Sequence, residues 1–337
     1  MSLNDALSRR RFLQQSFAFS ALAALGTVPS FARSATTPEG AGSNLLMLGD
    51  WGYEDFQAQT RVAAAMQHYV HEHSLTTDAL LMLGDNWYGP LPGGVESKRW
   101  QTQFEEMYPK SAFDCPAYAI LGNHDYQRMP DSKVDSELEY AKKTGTRWIM
   151  PSRWYRFEFP AKKPLMTVIA LDSNMPHEDG TPNKGANFTL TPEQQAEQLA
   201  WLEAELEKPR KTPFLVVMGH HPIFSNGPHG DTKILVRDWE PLLKKHKAHL
   251  YLAGHDHDMQ HLEFEGHPTS FALSGGGGAD LYTLKIDEAQ RGPYAAKVYG
   301  FSHLEVTPEK LTLRHLGETG QLIHAFSKTP DGRVQIL

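Results

Sequence analysis

The sequence predicts an α/β fold: two mixed β-sheets packed as a sandwich and flanked by helices. Three observations predict it. The hexapeptide LLMLGD occurs twice, at Leu45–Asp50 and Leu80–Asp85. Each copy carries the run of large apolar residues that a strand buried on both faces requires. From Asn44 onward, such runs alternate with helix-like stretches, the pattern of a layered α/β protein. After Pro268 strand-like runs follow one another with little helix between them, which adds a more antiparallel second sheet and argues against a single doubly wound one.

In chain order, strands are expected at Leu45–Leu48, Leu80–Leu83, Tyr118–Leu121, Thr167–Leu171, Phe214–Met218 and His249–Ala253. Helices are expected at Phe56–His71, Lys98–Met107, Ser132–Lys143, Pro192–Leu206 and Leu235–Lys247. The start of the fourth helix is marked by Thr191 as N-cap, Pro192 at the first position and Gln194 to close a capping box. The late strands are Ser270–Ser274, His303–Val306, Leu311–His315 and Leu322–Phe326. The doubled hexapeptide is not a repeat unit, because no third copy follows and the flanking segments differ. The run Gly275–Gly278 reads as a turn, since no helix pattern follows it as a phosphate-cradling loop would need.

The chain has 337 residues, a formal net charge of −7 and no block of Lys or Arg in its body. This excludes a nucleic-acid-binding footprint. Its one cysteine, Cys115, excludes an intramolecular disulfide framework and reads as a small core hydrophobe. Seventeen His residues are well above ordinary usage. Those at 68, 71 and 73 fall in a helix-like stretch and read as solvated, but several others adjoin Gly, Asp or Asn.

These others fall into a series. Leu48 leads to Gly49-Asp50, Leu83 to Gly84-Asp85, Leu121 to Gly122-Asn123-His124, Met218 to Gly219-His220 and Ala253 to Gly254-His255-Asp256-His257. Five strands end in Gly, and each Gly is followed by a residue able to ligate a metal. Ligands in open α/β sheets bind at the carboxyl ends of the strands, so the chain delivers these groups to one rim. Singly, Asp50 could cap a helix, Asn123 could serve a turn and Tyr88 could pack in a core. In an extended segment His255 and His257 would leave the same face about 6.6 Å apart. Two metal ions about 3.5–4 Å apart could then each take one.

The ordered set GD…GDxxY…GNH…GH…GHxH resembles the calcineurin-like metallophosphoesterase family over about Leu45–Gly277, and Tyr88 in GDNWY with GHDH resembles its purple acid phosphatases of the small, tartrate-resistant type. The resemblance implies a four-layer αββα domain over residues 44–337, with no long linker dividing it. It implies that Asp50, Tyr88 and His257 bind a first metal, Asp85 bridges two, and Asn123, His220 and His255 bind the second. Two carboxylates and a phenolate favour Fe(III); an amide and two imidazoles beside the shared carboxylate suit Fe(II), Zn(II) or Mn(II). His124, after Asn123, and His229, nine residues after His220, are implied as the groups that contact the phosphoryl and protonate the leaving oxygen. The expected activity is acid hydrolysis of small phosphomonoesters, with a dimetal-bound hydroxide attacking phosphorus in line and configuration at phosphorus inverting. A phosphodiesterase or nucleotidase of the same superfamily and a non-catalytic exported binding protein are the alternatives.

Around these residues, His221 is expected to pack or support a ligand, Asp125 and Asp172 to serve either turns or the orientation of ligands, and Trp51, Tyr53 and Tyr126 to line the mouth. At the N-terminus Ser8-Arg9-Arg10-Arg11-Phe12-Leu13-Gln14 precedes an apolar run from Phe17 to Val28. It resembles the bacterial twin-arginine export signal, with Gln14 where Lys is usual, and the run is too short to span a membrane. Residues 1–34 thus read as a leader cleaved after Ala32 or Ser34. The export machinery is then a partner, the destination is periplasmic or secreted, and no stable membrane anchoring is expected. The sequon Asn187-Phe188-Thr189 would be idle there.

Overall fold

The computed structural model describes residues 42–127, 132–176 and 189–337. The expected leader, and Asn187 and Phe188 of the sequon, lie outside the described residues. Residues Gly42–Leu337 form one compact unit. No helix among the described residues is long and apolar enough to cross a membrane.

The strands, in order, are β1 Ser43–Leu48, β2 Ala79–Met82, β3 Ala117–Ala119, β4 Trp148–Ile149, β5 Tyr155–Phe159, β6 Met166–Leu171, β7 Phe214–Gly219, β8 Leu250–Ala253, β9 Met259–Leu262, β10 Ser270–Ser274, β11 Pro293–Ala296, β12 Gly300–Val306, β13 Leu311–Gly317, β14 Leu322–Lys328 and β15 Val334–Ile336. One sheet runs β15-β14-β13-β12-β1-β2-β3-β4 and the other β11-β9-β10-β8-β7-β6-β5. β1 to β4 are parallel, as are β6, β7, β8 and β10; β5, β9 and β11 to β15 pair antiparallel. Both sheets are therefore mixed.

The doubled hexapeptide lies side by side in this arrangement. β1 and β2 are parallel neighbours, with Leu46 opposite Leu80 and Leu48 opposite Met82, so the two copies are offset by one residue. Alternation then divides the apolar runs between two cores. Leu46, Leu48, Leu80 and Met82 face a core shared with the helix Gln57–Glu72. Leu45, Met47, Leu81 and Leu83 face the second sheet. A third core lies beneath the helices Pro192–Glu207, Lys233–Asp238 and Glu240–Lys245 on the outer face of the second sheet. The result is helix, sheet, sheet, helix. The capping box at Thr191 is present, with Gln194 bonding back.

Two helices depart from expectation. The stretch expected as a helix over Lys98–Met107 forms a π-type turn over Trp100–Glu105, with Glu106 N–H donating to Gln101 O at 2.9 Å. The wider turn turns Trp100 and Phe104 together into an aromatic cluster, where Trp100 stacks on Tyr140 at 3.7 Å. The helix expected over Leu235–Lys247 is broken into Lys233–Asp238 and Glu240–Lys245. Pro241 explains the break: it has no N–H to continue the ladder and sits in the first turn of the second piece.

Candidate metal centre

The parallel strands of both sheets end at one rim. Asp50 follows β1, Asp85 β2, Asn123 and His124 β3, His220 β7 and His255 β8. Asp50, Asp85 and His255 all hold left-handed backbone angles, at φ of 60°, 51° and 70°, a conformation that costs a non-glycine residue about 1–3 kcal/mol. Glycines at the strand ends allow close approach between these loops. A Cβ on Gly254 would meet Asp50 Oδ2 at 2.5 Å, and one on Gly122 would meet Asp85 N at 2.2 Å. The run Gly275–Gly278 is irregular chain ending in a bend, not a hydrogen-bonded turn, and it lets a third segment press on this rim: Gly277 N–H bonds Gly49 O at 3.1 Å.

The side chains converge into two clusters that share one carboxylate. Ligand atoms of Asp50, Asp85 and His257 lie within 4.8 Å of one another, as do those of Asp85, His220 and His255. Tyr88 Oη lies 3.1 Å from Asp50 Oδ1, 3.0 Å from Asp85 Oδ2 and 3.0 Å from His257 Nε2. Asn123 Oδ1 lies 3.2 Å from His220 Nε2 and 2.8 Å from His255 Nδ1. All seven side chains picked out by the motifs are thus in one place.

The donor set itself tests whether metal ions fit. His220 Nδ1–H donates to Leu83 O at 2.9 Å and His257 Nδ1–H to Asp280 O at 2.6 Å, because a carbonyl can only accept. Each Nε2 is then a lone pair, yet these face Asp85 Oδ2 at 3.3 Å and Asp50 Oδ1 at 3.5 Å. One phenolic proton faces three acceptors. Acceptors facing acceptors in a buried site need cations or extra protons. In the bare chain protons must serve. Burial, then the Asp85 charge, push the Asp50 carboxyl well above the usual carboxylate range, against the pull of His220. Burial lowers His220, but Asp85 and Asp50 outweigh it and push the ring up to about 10. Burial and both carboxylates push the Tyr88 phenol well above its ordinary value. Burial holds His257 down to about 4. Asp85, although buried, is held well below its ordinary value by His220, His124 and His255. Two cations would satisfy this set in number and type.

A family model described as calcineurin-like phosphoesterase matches residues 43–259. The chain is 31% identical over 304 residues to tartrate-resistant acid phosphatase type 5 of Oryctolagus cuniculus, covering 84% of this chain and 90% of that protein. It is 30% identical over 302 residues to purple acid phosphatase 7 of Arabidopsis thaliana, covering 84% and 85%. The chain belongs to the calcineurin-like phosphoesterase family, in its purple acid phosphatase branch. It is accordingly a phosphoric monoester hydrolase of the acid phosphatase kind, and the family implies a dinuclear metal centre. A solved purple acid phosphatase from yellow lupin (Lupinus luteus) shares the fold, with a TM-score of 0.62 at 15% identity over 86% of this chain and 54% of that one.

The rest of the phosphoesterase site sorts the remaining residues. His124 donates its backbone N–H to Asp85 Oδ1 at 2.7 Å and lays its ring 4.1 Å from that of Tyr88. His229 is exposed on a loop, its ring 4.3 Å from His255. His221 packs 4.3 Å from the His255 ring and bonds Ser173 at 2.9 Å; burial holds it down to about 3. Asp125 has a definite task. It accepts from Gly122 N at 2.8 Å, Asn86 N at 3.1 Å and Trp87 N at 2.8 Å, tying the loops after β2 and β3 together. Asp172 accepts from Tyr126 Oη and from Asn174, joining the loop after β3 to the loop after β6.

Of the three aromatics expected at the mouth, only Tyr53 is there, edge-on to Tyr88 at 5.4 Å. Trp51 is fully buried, edge-on to Trp87 and Tyr108 at 5.2 and 6.0 Å, and Tyr126 is buried against Asp172. Alternating exposure could not be read from a loop, and a large aromatic core took both. The segment holding His255 and His257 is a tight turn, not extended: Asp256 N–H bonds Gly254 O at 2.9 Å and Asp258 N–H bonds Asp256 O at 2.8 Å. Sequence reasoning missed Tyr282, stacked 4.0 Å over His257, and the buried pair Lys133 and Glu137. Lys133 Nζ donates to Trp87 O at 2.6 Å and Gly89 O at 3.0 Å, while Glu137 accepts from Asn86 Nδ2 at 2.8 Å. They lie in the helix expected over Ser132–Lys143, and no local signal set them apart from its other charged residues. Cys115 is buried in the helix-side core, its thiol pushed up by burial to about 11.

Proposed function

We propose that the chain is an exported acid phosphatase that hydrolyses small phosphomonoesters at a dinuclear centre of Fe(III) and a divalent ion, Fe, Zn or Mn. The observation that carries this reading is the pair of clusters sharing Asp85. Asp50, Tyr88 and His257 would hold the first ion, Asp85 would bridge, and Asn123, His220 and His255 would hold the second. When bound, the ions supply Lewis-acid activation of a water and of the phosphoryl oxygens. A phenol pushed upward by burial and two carboxylates becomes a phenolate at acid pH only beside a strong Lewis acid, which favours Fe(III) on the Tyr88 side.

The chain's own groups do the rest. The carbonyls of Leu83 and Asp280 fix the His220 and His257 tautomers, so both Nε2 atoms face inward. Tyr53 and Tyr282 border the entrance. His124, held beside Tyr88 and Asp85, binds the phosphoryl oxygens, and His229 at the rim gives a proton to the departing oxygen. The arrangement needs no covalent phosphoenzyme, so configuration at phosphorus inverts. Export rests on the Ser8–Gln14 motif: changing Arg9 and Arg10 to Lys should hold the enzyme in the cytoplasm of a bacterial host, and unchanged export would remove this part of the reading.

The test of the centre is the colour of the purified, loaded protein. A visible tyrosinate–iron band should be present in the wild type and lost in Tyr88→Phe while bound metal is retained. A colourless, active wild type would overturn the iron assignment. A band unchanged in Tyr88→Phe would overturn the role of Tyr88.

A further inference from the structure

We propose that Asp256, which lies between the two histidines of the GHDH motif, is a positioning residue for His229. The inference rests on the reading of His229 as the leaving-group acid. Asp256 is fully buried and its carboxylate is engaged by the loop that carries Ser225 and His229. His229 Nδ1 lies 2.6 Å from Asp256 Oδ1, and the His229 backbone N–H reaches the same oxygen at 3.4 Å. The other carboxylate oxygen takes the Ser225 hydroxyl.

The loop is shaped around this carboxylate. Gly227 N–H and Gln260 Nε2 both donate to Ser225 Oγ, at 2.9 and 3.0 Å. A Cβ on Gly227 would lie 2.3 Å from Asp256 Cγ, so only glycine lets the backbone wrap it so closely. A second segment straps the loop from outside. Lys285 and Ile286 N–H groups bond Asn226 O at 2.9 and 3.2 Å, and Asn226 Nδ2 bonds Arg291 O at 2.5 Å.

The consequence for His229 is chemical. A carboxylate accepts only, so the Nδ1 proton is fixed toward Asp256 and Nε2 is the nitrogen left to exchange a proton. The ring is exposed, and its neighbours are the rings of His255 and Tyr282, at 4.3 and 5.4 Å. Among the described residues no other polar side chain bonds it, so Asp256 holds its orientation. In the reaction the bond from phosphorus to the leaving oxygen breaks as the bond to the attacking water oxygen forms. The Nε2 proton passes from the doubly protonated ring to the leaving oxygen, which leaves the ring neutral with its proton on Nδ1; the attacking water gives a proton to solvent, and solvent restores the one the ring lost. The carboxylate's role is to hold the imidazole in one tautomer and orientation.

The test compares two substrates. A poor leaving group, as in an unactivated alkyl phosphate, needs the proton; 4-nitrophenolate needs it far less. The ratio of kcat/KM on the alkyl ester to that on 4-nitrophenyl phosphate is measured for metal-loaded wild type, His229→Ala, Asp256→Ala, the near-isosteric Asp256→Asn and the double Ala variant. Asp256→Ala should lower the ratio by about 10–100-fold, the scale on which such supporting partners act. Asp256→Asn should lower it in the same direction, and the double variant should match His229→Ala. A wild-type ratio in His229→Ala overturns the reading of His229, and the proposal with it. A lowered ratio in His229→Ala beside equal losses on both substrates in both Asp256 variants overturns the positioning role alone. So does a further fall of the ratio in the double variant.

Discussion

An acid phosphatase must stay folded where it works, and His303 shows what this fold gives up on the acid side. Its ring is buried, with Nδ1 2.9 Å from Tyr69 Oη and Nε2 3.1 Å from Asn44 Oδ1. Burial, reinforced by Arg314 and His73, holds it neutral and lowers it from 6.5 to about 3. In the unfolded chain it titrates at its ordinary value. Between these limits the unfolded state binds the extra proton, so stability is full above about 6.5 and falls as pH drops toward 3. At pH 4.5, two units below the unfolded value, the loss is about 3 kcal/mol. His303→Gln removes this linkage. Urea unfolding of metal-loaded wild type and variant at pH 7.5 and 4.5 measures it: the wild type should lose about 3 kcal/mol more than the variant across the interval. His303 lies opposite Leu46, four residues before Asp50 on β1 and so about 13 Å from the metal rim, and the centre's own pH dependence cancels in the comparison. Equal losses in the two proteins would refute the claim that the fold holds this imidazole neutral.

Three further outcomes are expected. His315, lowered by burial to about 3, carries a linkage of the same sign, so His315→Gln should likewise flatten the acid limb of the stability profile; an unaltered slope in urea titrations would contradict it. Asp125→Ala leaves three backbone N–H groups without their acceptor, at about 1–3 kcal/mol each. It should cost about 3–5 kcal/mol and lower bound metal, and a melting temperature within about 2 °C of wild type with full metal content would contradict the clamp. Trp51→Ala empties a fully buried site ringed by Trp87, Phe104, Tyr108 and Trp148 and should lower the unfolding free energy by about 3–5 kcal/mol, read as a shift in the denaturant midpoint.

The parts of this molecule legible in the sequence are those with a local cause. Leu45–Leu48 and Leu80–Leu83 could be read as buried strands because four large apolar residues before a Gly have few other uses. The two-sheet sandwich followed from where helix-like stretches stop. Asp50, Asp85, Asn123, His220 and His255 could be picked out because each follows a strand-ending Gly, and the structure brings them together with Tyr88 and His257. What was not legible has a distant cause. β4 has two residues and β15 three, too short for any period to register. The break at Asp238–Glu240 follows from Pro241, which a count of apolar positions passes over. Lys133 and Glu137 look solvated until the partners at Trp87, Gly89 and Asn86, some 44–51 residues away, are known. Asp256 reads as filler between two ligands, because its partner His229 lies 27 residues earlier on another loop.

The same loops explain how strained positions persist. Asp50, Asp85 and His255 each adopt a left-handed backbone that the isolated segment would avoid. Each is held by a different loop. Asp50 N–H bonds Gly84 O at 3.0 Å, Gly254 N–H bonds His220 O at 3.0 Å, and Gly52 N–H reaches Asp85 O at 3.4 Å. The carboxylates are oriented by the backbone of other ligand loops: His255 N–H donates to Asp50 Oδ2 at 2.9 Å, and His124 N–H to Asp85 Oδ1 at 2.7 Å. These charge-assisted bonds are each worth about 1.5–3 kcal/mol, enough to offset the strain at the residue they brace. The first crosses between the sheets, since Asp50 follows a strand of one sheet and His255 a strand of the other, while the second joins the loops after β2 and β3 within one sheet. Neither sheet alone can fix its half of the centre. The sandwich is therefore the device that turns five strand ends into one rigid ligand set, and loosening any one loop should disturb groups on at least two others.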